Sequence, residues 1–229
     1  MNEETFCISA KSAFPADEIS EVAFKVFGIR TLYPYQRLVI ANIMDAAKDE
    51  PEVSAESDDD TASLNKQIVL LPTGAGKSLC FQVPALLLPG ATLVIYPLLA
   101  LMSDQERRMN AVGIKCAILR GGQSAEEREG AFAKIESGAK IVIANPEILA
   151  VPEICMRLKK CALSHIAIDE AHCVSEWGDT FRPAYLELGK IIDELNAPVV
   201  TAFTATASPE VLSRISDILF GGAAHIVRG

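Results

Sequence analysis

The chain has 229 residues, half of them apolar, and a formal net charge of −9 at pH 7. The apolar content excludes a disordered chain, and the length suits one domain, residues 1–229, with a sizeable core. The charge disfavours a broadly basic, nucleic-acid-binding surface. No apolar stretch is long enough to cross a bilayer and Met1–Glu4 is acidic, so we expect a cytosolic protein without membrane partners.

Cysteine spacing gives a second compositional constraint. The cysteines lie within apolar segments and form no C-x-x-C pair, which favours buried, reduced thiols over a zinc site or disulfides. The six positions are Cys7, Cys80, Cys116, Cys155, Cys161 and Cys173.

The first predicted elements are two amphipathic helices, Ala16–Phe27 and Tyr35–Ala47, separated by Gly28 and Pro34. Residues 48–65 follow and are rich in Ser, Asp and Glu. Seven acidic residues and no Lys or Arg lie between Asp49 and Asp60, and leaving these seven out of the net charge of −9 reduces it to −2. We predict a flexible, solvated acidic insertion here, with a specific acidic interaction arm as the alternative.

Short apolar runs then recur between helical patterns. Runs of this kind, buried on both faces, predict an α/β fold with a mainly parallel sheet and helices on both faces. Ligands of such sheets bind beyond the carboxyl ends of the strands. The runs are Ile68–Leu71, Thr92–Tyr96, Lys115–Leu119, Lys140–Ala144, His165–Ile168 and Val199–Phe203.

A Gly-rich segment, Thr73–Ser78, lies between the first of these strands and a helical pattern. Amides at a helix start carry the positive end of the helix dipole and can hold a polyphosphate. Gly74 and Gly76 let the main chain approach the phosphates, Lys77 can reach the β/γ oxygens, and Ser78 can ligate Mg²⁺. We therefore predict an ATP site with Mg²⁺, formed by Thr73, Gly74, Ala75, Gly76, Lys77 and Ser78. An ordinary Gly-rich turn is the alternative.

Two adjacent acids, Asp169 and Glu170, end the fifth apolar run. Such a pair can present one carboxylate to a metal-bound water and the other to the water that attacks the γ-phosphate. A bare Asp-Glu pair can also be a solvated turn, but the Gly-rich loop about ninety residues earlier favours chemistry. We assign catalytic roles to Lys77, Asp169 and Glu170, and Mg²⁺ ligation to Ser78 and Asp169.

Taken together, these segments and Thr204–Thr206 resemble superfamily 2 helicases of the DEAH-containing kind. The string Asp169–Pro183 is similar to the aromatic-rich loop of RecQ-family DNA helicases. The similarity covers nearly the whole chain apart from the acidic insertion, and it includes Phe27–Ile29, Pro34–Gln36, Lys77–Leu86, Pro97–Gln105 and Ala202–Ala207. It implies a RecA-like P-loop domain, the ATP-binding first motor domain of a 3′-to-5′ DNA helicase.

The resemblance also implies roles for single residues. Gln36 would read the N6/N7 edge of adenine, a surface glutamine being the alternative. His172, Thr204 and Thr206 would couple the nucleotide site to DNA. A DNA-sensing loop would stack on unpaired bases for roughly 1–3 kcal/mol each. Its residues are Trp177, Phe181 and Arg182, and core packing is the alternative for the two aromatic side chains.

Several positions depart from the RecQ pattern. Ile29 and Tyr33 stand where the family usually has an aromatic residue and an Arg around adenine, so base stacking either falls to Tyr33 or is weak. Asp179 places an anion in the DNA-sensing loop. Ser103 and Ile148 replace a common Lys and Arg. Since fewer basic contacts weaken phosphate binding, we expect modest affinity for single strands.

A superfamily 2 motor needs a second domain, whose arginines can be worth about 10³–10⁵ in rate. The chain stops at Gly229, where the family would pass into that domain, so we expect weak hydrolysis and no duplex unwinding by this chain alone. The implied partners are single-stranded or partly duplex DNA and the second motor domain, which implies nucleoid or nuclear association when DNA is bound. A non-catalytic nucleotide-binding interaction module and an RNA-dependent ATPase of the same superfamily are the alternatives; the aromatic-rich loop argues against the latter.

Overall fold

A computed structural model describes residues 17–48, 64–177 and 183–229, with the backbone alone for Glu176 and Trp177. The described strands are β1 (Lys66–Leu70), β2 (Ala91–Ile95), β3 (Cys116–Leu119), β4 (Ile141–Ala144), β5 (Leu163–Ile168), β6 (Val199–Thr204) and β7 (His225–Arg228). They form one sheet in the order β3-β4-β2-β5-β6-β1-β7, and every neighbouring pair is parallel. The predicted α/β class with a parallel sheet is confirmed.

Strand β7 was missed by the sequence prediction, which found six runs. It pairs with β1 at one edge of the described sheet, and Ile226 on it is 42% exposed. Its residues therefore alternate in burial instead of forming the continuous apolar run that marks a strand covered on both faces. The other six predicted runs match observed strands to within about two residues at each end.

Helices cover both faces of the sheet. They are α1 (Glu18–Phe27), α2 (Pro34–Ala46), α3 (Lys77–Leu87), α4 (Leu99–Ala111), α5 (Ala125–Glu136), α6 (Pro146–Leu149), α7 (Pro152–Lys159), α8 (His172–Trp177), α9 (Leu188–Leu195) and α10 (Pro209–Phe220), with a 3₁₀ turn at Pro183–Tyr185. Helices α2, α3 and α4 pack on one face, where α1 joins α2 and α3. Helices α5 to α10 pack on the other.

Local signals explain the ends of the first helix. The carboxylate of Asp17 accepts a hydrogen bond from the Ser20 amide and so caps α1, and Gly28 ends the helix with a φ of 70°. The predicted start at Ala16 lies outside the described residues. Helix α2 begins one residue earlier than predicted because Pro34 takes the first helical position, where its fixed φ suits the helix.

Strand side chains alternate between two apolar cores. On β2, Leu93 and Ile95 belong to the core under α5 and α7–α10, and Val94 belongs to the core under α2–α4. All three side chains are inaccessible or nearly so. The continuous apolar runs in the sequence thus reflect helices on both sides of the sheet.

A row of polar side chains interrupts the core under α2–α4, near the amino ends of the strands. Gln67, Thr92, His165 and Thr201 are all inaccessible, on β1, β2, β5 and β6. The ring Nε2 of His165 lies 3.2 Å from the Thr201 hydroxyl, and its Nδ1 has no hydrogen-bond partner among the described residues. Burial lowers the pKa of His165 to about 3. This ring can therefore take up a proton only in strong acid.

Helices α9 and α10 approach very closely at one glycine. A Cβ atom on Gly189 would lie 2.1 Å from the carbonyl oxygen of Ile218. A side chain at position 189 would therefore force the two helices apart.

Four of the five described cysteines are buried and Cys161 is partly exposed; none of these five forms a disulfide, and Cys7 lies outside the described residues. This burial agrees with the prediction made from their apolar surroundings. The core of the acidic insertion, residues 49–63, also lies outside the described part of the chain. Within the described ranges, no helix is both long enough and apolar enough to span a bilayer.

Candidate active site

The segments with predicted chemistry meet at the carboxyl edge of the sheet, and backbone hydrogen bonds join them there. The Leu71 amide donates to the Thr204 carbonyl oxygen at 3.1 Å, and the Ala171 amide donates to the Phe203 carbonyl oxygen at 2.8 Å. The Asp169 amide donates to Ile95 at 2.9 Å. The loop after β1 and the acids after β5 are therefore both tied to neighbouring strand ends.

The Gly-rich loop turns tightly between β1 and α3. The Ala75 amide donates to the Pro72 carbonyl oxygen at 3.1 Å, and Gly74 and Gly76 have φ angles of 82° and 73°, which side chains adopt only with strain. Gly76 is the N-cap of α3, and within the described part of the chain no side chain caps this helix start. The first amides of α3 are thus left without a side-chain acceptor, which is the arrangement that favours an anion.

Lys77 and Ser78 open this helix. The Lys77 ammonium donates to the Leu71 carbonyl oxygen at 3.2 Å, so its side chain folds back over the loop. It also lies near enough to Asp169 that its charge opposes the rise in the pKa of that carboxyl group, which burial and the charge of Glu170 cause. Ser78 is partly exposed beside it. One cation and one hydroxyl therefore stand at the mouth of the loop, next to the acids of β5.

The first turn of α2 holds the loop in this shape. Gln36 Nε2 donates to the Ala75 carbonyl oxygen at 2.9 Å, and the Tyr35 hydroxyl donates to the same oxygen at 3.3 Å. Gln36 Oε1 accepts from the Tyr33 amide at 2.9 Å. Gln36 is only 3% exposed, so the surface-glutamine alternative is wrong. Its role in reading adenine stays a prediction.

Two tyrosines stack beside the loop. The rings of Tyr33 and Tyr35 have centroids 5.4 Å apart and planes 10° apart, and Tyr33 is 61% exposed. An open aromatic face next to the phosphate loop suits a stacked base, which keeps Tyr33 a candidate for that task. Sequence reasoning assigned Tyr35 no role, because no periodicity reveals a hydroxyl that reaches a loop some forty residues later.

The two acids occupy different environments. Burial, and then the charge of Glu170, raise the pKa of Asp169 to about 6, against the opposing effects of the hydrogen bond from the Glu170 amide and the charge of Lys77. Asp169 accepts a hydrogen bond from the Glu170 amide at 3.0 Å. Glu170 has a φ of 51°, a left-handed conformation that costs a non-glycine residue about 1 kcal/mol. This backbone turn separates the two carboxylates at the strand end.

A side-chain network continues from Glu170. His172 Nδ1 lies 3.4 Å from Glu170 Oε2 and 3.3 Å from the hydroxyl of Thr204, which donates to the Thr206 carbonyl oxygen at 3.1 Å. The structure therefore brings these predicted coupling residues together with the proposed base. Trp177 ends α8, and its side chain lies outside the described atoms. Phe181 and Arg182 also lie outside the described residues, so their DNA roles stay predictions.

The fit of Mg²⁺ to this site follows from its donors. Among the described residues, no group of three or more His, Cys, Asp and Glu side chains could hold a metal ion unaided. Mg²⁺ typically takes one or two carboxylates and completes its shell with water and substrate phosphates. Asp169 offers one partly exposed carboxylate and Ser78 one partly exposed hydroxyl, a donor set that fits that mode. These donors suit Mg²⁺ that is bound together with a phosphate ligand.

Comparison with known protein families assigns the sequence of this chain to one of them. The family model described as DEAD/DEAH box helicase matches residues 33–215, which include every segment of the site. The chain belongs to the DEAD/DEAH box helicase family. This membership confirms the superfamily that the phosphate loop and the Asp-Glu-Ala-His string predicted.

Curated relatives within this helicase family carry RecQ-type names. The chain is 42% identical over 153 residues to the probable ATP-dependent DNA helicase RecS of Bacillus subtilis, covering 66% of this chain and 31% of the relative. It is 42% identical over 144 residues to ATP-dependent DNA helicase RecQ of the same organism, covering 62% of this chain and 24% of the relative. The RecQ resemblance is confirmed, and the chain spans a third or less of these relatives.

Solved helicase structures share the fold. The helicase domain of Pyrococcus furiosus Hef has a TM-score of 0.62 at 23% identity, with 86% of this chain and 37% of that chain covered. The helicase MrfA bound to DNA has a TM-score of 0.65 at 22% identity, with 93% and 28% covered. At these identities the likeness concerns the fold alone, and it confirms the predicted RecA-like architecture.

Proposed function

We propose that this chain is the ATP-binding first motor domain of a RecQ-like 3′-to-5′ DNA helicase, and that it binds Mg-ATP and single-stranded DNA. The observation that carries the proposal is the start of α3. It presents amides without a capping side chain, directly behind β1 and beside Lys77, Asp169 and Glu170. An anion-binding helix start next to two acids is the arrangement that phosphoryl transfer uses.

The loop residues Thr73–Ser78 would hold the phosphates through their amides. Lys77 would exchange its bond to the Leu71 carbonyl oxygen for the β/γ oxygens, a neutral acceptor for a charged one. Ser78 and Asp169 would hold Mg²⁺, partly through water. When bound, Mg²⁺ neutralises charge on the phosphate oxygens. Burial, and then the charge of Glu170, raise the pKa of Asp169 to about 6, and a cation beside these two carboxylates would offset their mutual repulsion.

Gln36 would recognise the base without leaving its present partners. A glutamine amide has two N–H donors and two acceptor lone pairs. Gln36 uses one N–H to donate to the Ala75 carbonyl oxygen and one lone pair to accept from the Tyr33 amide. The described residues give no partner for the other donor and the other lone pair, and these would serve the adenine edge, which needs one of each.

Glu170 would orient the attacking water and take its proton, as the second acid of the pair. His172, Thr204 and Thr206 would transmit the state of Glu170 toward the DNA through the network described above. Trp177, Phe181 and Arg182 would sense single-stranded DNA. Arginines of a second motor domain would supply the remaining stabilisation of charge, so hydrolysis by this chain alone should be slow and duplex unwinding absent.

Calorimetry with Mg-ATP and Mg-ADP tests the nucleotide site in the 229-residue chain. Lys77→Ala should weaken binding about ten- to a hundred-fold, because a charged hydrogen bond contributes about 1.5–3 kcal/mol. Lys25→Ala is the matched control, since Lys25 is an exposed lysine on α1. Glu170→Gln should change affinity less than about two-fold. Absence of binding by the unaltered chain would refute the proposal.

Turnover is best measured after joining the chain to a RecQ-type second motor domain. There Glu170→Gln should lower the ATPase rate about 10²- to 10⁴-fold, the usual contribution of a general base. Trp177→Ala should abolish stimulation by single-stranded DNA and leave the basal rate unchanged. Normal turnover by Glu170→Gln would show that another group activates the water. Nucleotide binding with no turnover in the unaltered fusion would favour a non-catalytic module.

A further inference from the structure

The ring of His172 has contacts at both of its nitrogens. Nδ1 lies 3.3 Å from Thr204 Oγ1 and 3.4 Å from Glu170 Oε2. Nε2 lies 3.7 Å from the Cys173 sulfur. A neutral imidazole carries one proton, on one nitrogen or the other, and the neighbours decide which.

The hydrogen-bond partners of Nδ1 determine whether this nitrogen carries the ring proton. The Thr204 hydroxyl has one hydrogen, and it donates that hydrogen to the Thr206 carbonyl oxygen at 3.1 Å, which can only accept. Toward His172, therefore, Thr204 Oγ1 is an acceptor. The Glu170 Oε2 atom, a carboxylate oxygen, is also an acceptor. Both contacts require the proton of His172 to be on Nδ1.

With Nδ1 protonated, Nε2 of the neutral ring bears a lone pair. Cys173 is buried, and its thiol is a weak donor within reach of that lone pair. The backbone fixes its position, because the Cys173 amide donates to the Glu170 carbonyl oxygen at 3.0 Å. We propose that the Cys173 thiol donates to His172 Nε2 and thereby holds the ring in the Nδ1–H tautomer, facing Glu170 and Thr204.

Cys173 is thus a positioning residue, and it touches neither nucleotide nor water in this role. A free histidine ring in water prefers the Nε2–H tautomer, so the site imposes the less common form. The consequence is a directed chain of donors from Cys173 through His172 to Glu170, with Thr204 as a second acceptor. This places a fixed donor on the carboxylate that the proposed function uses as base, and the catalytic part of the inference rests on that function.

Nitrogen-15 NMR of the histidine rings tests the tautomer directly in the nucleotide-free chain. The sequence has three histidines, so the ring signals are few. At about pH 8, where an ordinary histidine ring is neutral, the His172 signals should show a protonated Nδ1 and a bare Nε2. Cys173→Ala should shift the population toward Nε2–H. Cys173→Ser, which keeps a donor, should retain Nδ1–H.

Cys155→Ala is the matched control, because Cys155 is another buried thiol whose partner is Glu194, outside this network. It should leave the His172 signals unchanged. An Nε2–H tautomer in the unaltered chain, or an unchanged tautomer in Cys173→Ala, would overturn the inference. Neither result depends on nucleotide, so a failure here is distinct from a failure of the proposed function.

A kinetic measurement tests the consequence for Glu170 in the chain joined to a second motor domain. Loss of one hydrogen bond that orients the base should lower kcat of Cys173→Ala about five-fold at unchanged KM. Cys173→Ser should restore most of this rate. A rise in KM at unchanged kcat would instead assign Cys173 to nucleotide binding and contradict the positioning role.

Discussion

His165 shows how much a single buried residue can set the acid sensitivity of the whole chain. Its ring is inaccessible and its pKa is lowered to about 3, because burial disfavours the charged form. An unfolded chain would protonate the same ring near pH 6.5. Between those two values the unfolded state binds more protons than the folded state, so stability is lost as the pH falls.

We expect the free energy of unfolding to fall by up to about 1.4 kcal/mol per pH unit below about pH 6.5 through this residue. His165→Gln removes the titrating ring and keeps a polar group that can contact Thr201. Between pH 7 and pH 5, the variant should therefore lose about 2 kcal/mol less than the unaltered chain, measured by urea unfolding at both values.

His225→Gln serves as the control, because His225 lies on edge strand β7 and water reaches it. Equal slopes for His165→Gln and the unaltered chain would show that His165 is protonated or solvated in the folded state, against the burial seen here.

The site residues that belong to a sequence motif could be predicted, whereas those that reach the site only through tertiary packing could not. Lys77, Asp169 and Glu170 could be assigned from spacing, since a helix start behind a strand and an acid pair after a strand impose local geometry. Tyr35 and Cys173 carry no such pattern. Their positions depend on how α2 meets the phosphate loop and how α8 leaves β5, which only the packed structure shows.

At the scale of elements, the contact between α9 and α10 depends on the absence of one side chain. Gly189→Ala would place a Cβ atom 2.1 Å from the Ile218 carbonyl oxygen. We expect this change to lower the free energy of unfolding by at least about 2 kcal/mol, because helix backbones cannot yield locally. Urea or thermal unfolding measures the loss.

Gly130→Ala is the matched control within α5. A Cβ atom there would meet nothing within 4 Å, and the site is exposed. This change should stabilise the chain by about 0.5–1 kcal/mol through helix propensity. Similar effects of the two substitutions would mean that α9 and α10 lie further apart than described.

The order of the buried strands could be predicted from the sequence, whereas the edge strand β7 could not. Strands that are buried on both faces form continuous apolar runs in the sequence, and six strands were predicted on that basis. Strand β7 escaped because an edge strand with one exposed face mixes polar and apolar residues. The polar row through Gln67 and His165 also contradicts simple patterning, since nothing in the sequence marks those side chains as fully buried.

For the molecule as a whole, charge distribution bears on DNA affinity. Seven of the acids behind the net charge of −9 lie between Asp49 and Asp60. Replacing them by Asn and Gln should raise the affinity for single-stranded DNA several-fold at low salt, because long-range repulsion is removed. The gain should shrink above about 0.3 M salt, where the screening length is only a few ångströms. Fluorescence anisotropy with a labelled oligonucleotide measures both.

A shuffled 49–60 segment with the same composition is the control, and it should bind DNA as the unaltered chain does. A loss of affinity on shuffling, or a gain that persists at high salt, would mean that the segment makes specific contacts. That result would support the alternative of an acidic interaction arm.

Strand β6 has a mechanical consequence for the motor. Its last carbonyl groups anchor the amide of Leu71, which precedes the phosphate loop, and the amide of Ala171, which follows the acid pair. The Gly-rich loop and the acid pair are therefore both supported by the end of β6. In the proposed function, a sub-ångström shift of β6 would move the Gly-rich loop and the acid pair together, so that binding and cleavage of the nucleotide would be coupled through this strand.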